Sequence, residues 1–225
     1  MGLAGTCHSH SSPRTILLLA ALLLPFAAGA QSKGNLSASA VPAAPQAQQS
    51  EWRYDGALSG FAQITGATNG NSIREDTSES LGGLASFRHP YRPWLGYEVN
   101  YGFTRYSEFY NKGVTTVQNN VHQFSAAYLF QSPKPMFYRL EPFATIGFGV
   151  LMFSSSHVTN ASVSTQLLPA FVYSIGVNRP VTSRLGVRIQ FRGLDYKTPS
   201  YNQLSLDTYR LRTTMEPTIG VYYRF

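Results

Sequence analysis

Residues 209–225, YRLRTTMEPTIGVYYRF, alternate apolar and polar side chains down to a terminal phenylalanine. Successive side chains of a strand point to opposite faces, so Leu211, Met215, Ile219, Val221, Tyr223 and Phe225 share one face. Arg210, Arg212, Glu216 and Arg224 share the other. A soluble sheet buries its apolar face against a core. Here charges occupy the middle of the polar face, which suits an apolar face turned to lipid and a polar face turned to a narrow lumen. The competing reading is an edge strand of a soluble sheet, and the rest of the chain separates the two.

At the other end Arg14 precedes an apolar run at 16–28, ILLLAALLLPFAA, which is too short to span a bilayer and is followed by the small residues Ala28, Gly29 and Ala30. This predicts a signal peptide over 1–30, cleaved before Gln31. Cys7, the single cysteine, lies upstream of the apolar run and cannot be the acylated residue of a lipoprotein, so disulfide and thiol chemistry are not expected in the exported chain. Residues 31–50, QSKGNLSASAVPAAPQAQQS, contain no aromatic residue and too little apolar surface to offset ordering, which predicts a disordered periplasmic tail. The barrel is expected over 51–225.

Composition agrees. Beyond the leader no apolar run approaches the roughly 20 residues of a membrane helix, so a spanning structure has to be a closed barrel. Tyr and Phe number 14 each and Gly 19, in a chain only 13% charged, a balance that suits aromatic girdles. The formal charge of +7 falls to +6 without Arg14, and the basic residues are scattered, so no nucleic-acid surface is expected.

About eight strand-like segments follow Trp52. The first two, near 55–65 and 79–89, are blurred by Gly and Ala and their faces stay unassigned. The third alternates Leu95, Tyr97, Val99, Tyr101 and Phe103 with Gly96, Glu98, Asn100, Gly102 and Thr104. The seventh sets Leu185, Val187, Ile189 and Phe191 against Gly186, Arg188, Gln190 and Arg192. The fifth has Glu141 and Thr145 inside, with Phe143 and Leu151 breaking its polar face. Short proline-containing links at 90–93, 132–135 and 179–183 alternate with longer polar stretches at 66–78, 107–116, 154–166 and 194–208. This predicts an all-β fold: a closed antiparallel transmembrane β-barrel with short periplasmic turns and longer extracellular loops. A lipocalin-like barrel would reverse the facing. Pro142, Pro169 and Pro217 each remove a ladder donor, so bulges are expected there. Glu141-Pro142 and Glu216-Pro217, each leading into Thr-Ile-Gly, suggest a duplicated hairpin.

So small a lumen should be filled by side chains. The assigned faces bring Glu98, Glu141 and Glu216 together with Arg188, Arg192, Arg210, Arg212 and Arg224, and buried charges persist when paired. A structural ion-pair network is the expectation. Catalysis would need a nucleophile, a histidine base and an acid close together. His122 and Ser125 fall on opposite strand faces, while His157 with Ser154–Ser156, and Glu108 or Asp195, are the other candidates. No spacing predicts a metal or cofactor site.

From roughly 52 to 225 the chain resembles small OmpA-like and OmpX-like outer-membrane β-barrels of the porin-like superfamily, on LGVRIQFRGLDYKTP at 185–199 and EPTIGVYYRF at the end. Tyr223 and Phe225 resemble the terminal aromatic pair of such barrels, which implies recognition by the barrel-assembly machinery. The resemblance implies a monomer among outer-membrane lipid and lipopolysaccharide, used for envelope integrity, surface interaction or as a minor pore. No family active site can be carried over, and the peptidoglycan-binding domain of longer OmpA-like proteins is not expected. A non-enzymatic barrel leads this reading, with a narrow channel or a lipid-modifying enzyme as alternatives. The protein should migrate differently in detergent gels before and after boiling and should fractionate with outer membranes; recovery from the soluble periplasm would exclude the barrel.

Overall fold

The computed structural model describes residues 54–159, 163–203 and 206–225. The leader and tail expected over 1–30 and 31–50 lie outside the described residues. Eight strands form the wall: β1 (Asp55–Thr65), β4 (Ser80–Arg92), β5 (Leu95–Tyr110), β6 (Thr115–Gln131), β7 (Glu141–Thr159), β8 (Gln166–Pro180), β9 (Leu185–Lys197) and β10 (Leu211–Arg224). A small hairpin, β2 (Thr68–Gly70) and β3 (Ile73–Thr77), rises from the loop between β1 and β4 and adds to the free upper part of β5. Each wall strand pairs antiparallel with its sequence neighbour, and β1 pairs with β10, Asp55 opposite Arg224 and Ser59 opposite Gly220. The barrel is therefore closed, and no strand edge is left to face hydrocarbon.

Alternation sets the two surfaces. On β10, Ile219 is 61% exposed while Glu216 is fully buried, and on β9 Ile189 and Phe191 are exposed while Arg188 and Arg192 are buried. The same parity resolves the first two strands, whose faces the sequence left open. Ala57, Phe61 and Gln63 of β1 and Leu84, Ser86 and Arg88 of β4 point inward; Leu58, Ile64, Leu81 and Phe87 point outward. Aromatic residues gather at the turn rim, where Tyr54 stacks on His89 with ring centroids 4.5 Å apart and on Phe225 at 6.2 Å.

The strands outrun the membrane. β6 and β7 are 17 and 19 residues long, against roughly 9–11 needed to cross a bilayer at a tilt. The upper parts of β5, β6 and β7 occupy much of the stretches expected to be loops at 107–116 and 154–166, and β5 joins β6 through a single 3-10 turn at Asn111–Gly113. The reason is physical: above the lipid the outward residues become polar, as with Arg105, Gln118 and Ser156, so the apolar-out signal vanishes while the ladder continues. At the other rim, the link expected to be short around 132–135 extends to Leu140, closed by a bridge between Met136 and Leu140.

The prolines act unequally. Beside Pro217 the β1–β10 ladder skips from Phe61 opposite Thr218 to Ile64 opposite Met215. Pro142 opposite Val177 and Pro169 opposite Val150 keep an unshifted register. The two register shifts lie elsewhere, between Pro90 and Arg92 and between Gln118 and Asn119. Nor do the two Glu-Pro segments occupy equivalent levels, since Glu141 opens β7 at the turn rim and Glu216 lies deep in β10.

The facing predicts a depth-dependent penalty. In a folding titration in lipid vesicles, Ile219→Arg, at mid-height of the apolar belt, should cost about 2–4 kcal/mol, and Leu185→Arg, at the turn rim, about 0–1 kcal/mol. Two costs near zero would mean that this face meets water.

Candidate functional site

Among the described residues the lumen gathers most of the buried ionisable groups, and its side chains sort into storeys. Nearest the turn rim, Arg188 donates to Asp55 at 2.6 Å, Asn178 at 2.9 Å and Ser86 at 3.1 Å. Beside it Arg88 pairs with Glu98, which also accepts from Asn100 at 2.7 Å. Arg88 lies 3.9 Å over the ring of Phe143, which explains an aromatic residue on a polar face: its π-cloud covers a guanidinium that has little water. Gly176 makes room for that ring, because a Cβ there would come within 2.5 Å of Phe143. Glu141 pairs with Arg224 at the rim itself, both side chains 22% exposed.

In the middle storey Arg192 donates to Glu216 at 2.8 Å, to Gln123 at 2.7 Å and to Ser125 at 3.1 Å, and Gln123 donates to Glu216 at 2.7 Å. Every charge here is hydrogen-bonded as well as paired, the condition under which buried ions are tolerated. Above it the lumen turns apolar. Tyr106, Val121, Leu151, Phe153, Val172 and Leu194 form a cluster that continues upward to Ile73, Tyr201 and Leu206. Leu151, which broke the polar face in the sequence, belongs to it. Between the two storeys, a cavity lined by Gln63, Tyr106, Gln123 and Tyr196 leaves about 10 Å³, scarcely room for one water.

The third charged storey lies in the loop-side extension. Arg212 pairs with Glu108 at 3.1 Å and also with Glu75 of the hairpin. Glu108 accepts further bonds from Asn119 at 3.1 Å and from Tyr201. Burial, and then the neighbouring Glu108 carboxylate, push the Glu75 carboxyl up to about 8, while Arg212 pulls the other way.

Seven of the eight residues expected in the lumen network thus lie in the lumen or at its turn rim: Glu98, Glu141, Glu216, Arg188, Arg192, Arg212 and Arg224. Arg210 does not. It precedes β10 and is exposed, packed across Gly70, because the alternation of residues 209–225 begins only where the β9–β10 ladder starts at Leu211. Asp55, Arg88 and Glu75 were missed, and Glu108 was seen only as a candidate acid. Parity carried down β4 from Phe87 would have turned Arg88 inward, whereas nothing local marks Glu75, whose place depends on the hairpin pairing with β5. Tyr223 and Phe225 stand outward at the turn rim, rings 6.2 Å apart.

The catalytic candidates do not converge. His122 faces outward and bonds the Tyr101 hydroxyl at 2.9 Å, whereas Ser125 faces inward on Arg192. His157 is exposed, Glu108 is committed to Arg212, and Asp195 accepts from Thr213. No group of three or more His, Cys, Asp or Glu side chains is placed to hold a metal ion among the described residues.

No curated protein matches the chain in sequence. Among solved structures it is similar to the outer membrane protein OprG from Pseudomonas aeruginosa, with a TM-score of 0.55 and 8% identity over 77% of this chain and 96% of that one. It is also similar to Neisserial surface protein A, with a TM-score of 0.51 and 15% identity over 77% of this chain and 97% of that one. At such identities the likeness shows a shared fold. The outer membrane protein beta-barrel domain matches residues 34–225, nearly the whole sequence, and the chain therefore belongs to that family of bacterial outer-membrane barrels.

Proposed function

We propose that this protein is a non-enzymatic barrel whose lumen is closed by its own side chains and whose role, structural or in surface interaction, is exercised through the loop rim. The observation that carries the reading is the stacking of paired charges under an apolar storey. Arg88–Glu98, Arg188–Asp55 and Arg192–Glu216 fill the lower lumen, and the Tyr106–Leu194 cluster fills the space above. A solvated ion crossing it would have to displace both. The separated positions of His122, Ser125 and His157 support a role without catalysis.

The partners follow from the surfaces. The apolar belt and its aromatic rim suit lipid, and exposed Arg74, Arg105, Lys197 and Arg210 near the loop rim suit the phosphates of lipopolysaccharide. Tyr223 and Phe225, outward at the end of the closing strand, suit capture by the barrel-assembly machinery, and a closed ladder is complete in one copy. Deleting Phe225, or Phe225→Glu, should reduce outer-membrane levels while secretion continues; normal levels would remove the assembly role.

In planar bilayers the purified protein should show no stable conductance steps, and steps would favour a narrow channel for small solutes. Glu216→Ala leaves Arg192 without its carboxylate, and breaking a buried pair in this way should lower the folding free energy by about 3–5 kcal/mol. A loss below about 1 kcal/mol would mean that water reaches Arg192 freely.

A further inference from the structure

The storey around Arg212 differs from those below in its charge count. Arg88, Arg188, Arg192 and Arg224 each have one carboxylate, whereas Arg212 faces two, Glu108 on β5 and Glu75 on β3. Both carboxyl side chains are fully buried. Two buried negative charges against one positive leave a net charge in an apolar enclosure, which a protein avoids by keeping one group neutral.

Geometry says which. Glu108 receives Arg212, Asn119 and Tyr201, a donor set suited to an ionised carboxylate. Glu75 has Arg212 and a distant Tyr110 hydroxyl at 3.4 Å on one oxygen, and its Oε2 has no hydrogen-bond partner. The titratable groups facing this pair are Tyr106 and Tyr110 from β5, Tyr196 from β9, Tyr201 beyond it and Arg212 from β10. Arg74 and Asp76 pair with each other on the exposed side of the hairpin, and Asp207 pairs with Lys197.

The hairpin that carries Glu75 is held lightly. It turns through Asn71 and Ser72, with φ of 49° and 62°, the left-handed pair of a tight hairpin turn. Only Glu75, Asp76 and Thr77 register with β5. Asn71 bonds the Asp207 carbonyl at 3.0 Å, and Ile73 tucks into the apolar cluster. An element with so few ladder bonds sits at the low end of local stability.

We infer that Glu75 is a proton-binding site that controls this hairpin: with the proton bound, β2–β3 is docked on the upper edge of β5 with Glu75 and Ile73 turned inward, and loss of the proton releases it to the outside. The direction follows from linkage. Burial and Glu108 raise the Glu75 carboxyl above its ordinary value of 4.5, to about 8. Docking is therefore strongest below the ordinary carboxylate range and weakens as pH rises through about 8. Acid conditions close the loop rim and alkaline conditions open it, exposing Ile73 and the Glu108–Arg212 pair beneath.

The test is a spin label at Asn69→Cys in the full chain carrying Cys7→Ser, folded in lipid vesicles. Electron paramagnetic resonance should show an ordered label at pH 6 and a mobile component at pH 9, the undocked fraction rising at least about tenfold. Glu75→Gln, neutral at every pH and still able to accept from Arg212, should stay ordered across that range, and Asp76→Asn should respond like the parent. Heat-modifiable migration checks that each variant is folded. An unchanged parent spectrum between pH 6 and 9, an equal pH response in Glu75→Gln, or a Glu75→Gln hairpin already mobile at pH 6 would each overturn the inference.

Discussion

A strand inside hydrocarbon has to give every peptide N–H and C=O to a neighbouring strand, and the β1–β10 ladder is where this chain completes that requirement. Closing the sheet with eight strands leaves an interior only as wide as side chains can fill. The rest follows from that narrowness. The outward positions take apolar residues because lipid is there; the inward positions have to fill space, and most of those that do so are polar. Polar side chains without water need partners, so arginines appear beside carboxylates, and glycine beside Phe143 gives the ring the depth it needs.

The interior is not uniform along its axis. Below, opposite charges neutralise one another one to one. Above them lies an apolar layer from Tyr106 to Leu194 that resembles the core of a soluble protein. Its upper end, around Tyr106, reaches the level where the outward residues turn polar, as at Arg105, and where water outside the wall lets the hydrophobic effect again favour burying apolar groups inside. The lumen thus changes from polar to apolar along its length, and the charged storey of Arg212, Glu108 and Glu75 sits within the loop-side extension.

The sequence was most legible where the outside is lipid. Strict alternation on β5, β9 and β10 gave both the strands and their faces, and from the faces followed the inward direction of Glu98, Arg188, Arg192 and Glu216. Legibility failed elsewhere for physical reasons. On β1 and β4 small residues such as Gly60, Ala62, Gly83 and Ala85 stand outward, so apolar contrast was too weak to show that Asp55 and Arg88 turn inward. Above the belt the outward face became polar, and β5, β6 and β7 looked like loops even though their ladders continue. Glu75 belongs to a third kind, a residue whose burial is decided by a hairpin folding onto a distant strand. Arg210 was misplaced by extending a true alternation two residues too far.

The pairs also differ in how far apart their members lie along the chain. Arg88 and Glu98 are separated by 10 residues and Arg192 and Glu216 by 24, so each can find its partner within a single hairpin. Arg188 and Asp55 are 133 residues apart, and Arg212 and Glu108 are 104. During assembly the near pairs can neutralise while the sheet is still open, whereas Arg188 has to wait for the first strand to meet the last. Until then its charge needs water, so an unclosed sheet keeps a wet seam. Final closure, water expulsion and neutralisation of Arg188 thereby become one event, giving insertion a cooperative last step in which the barrel's first and last strands arrive together.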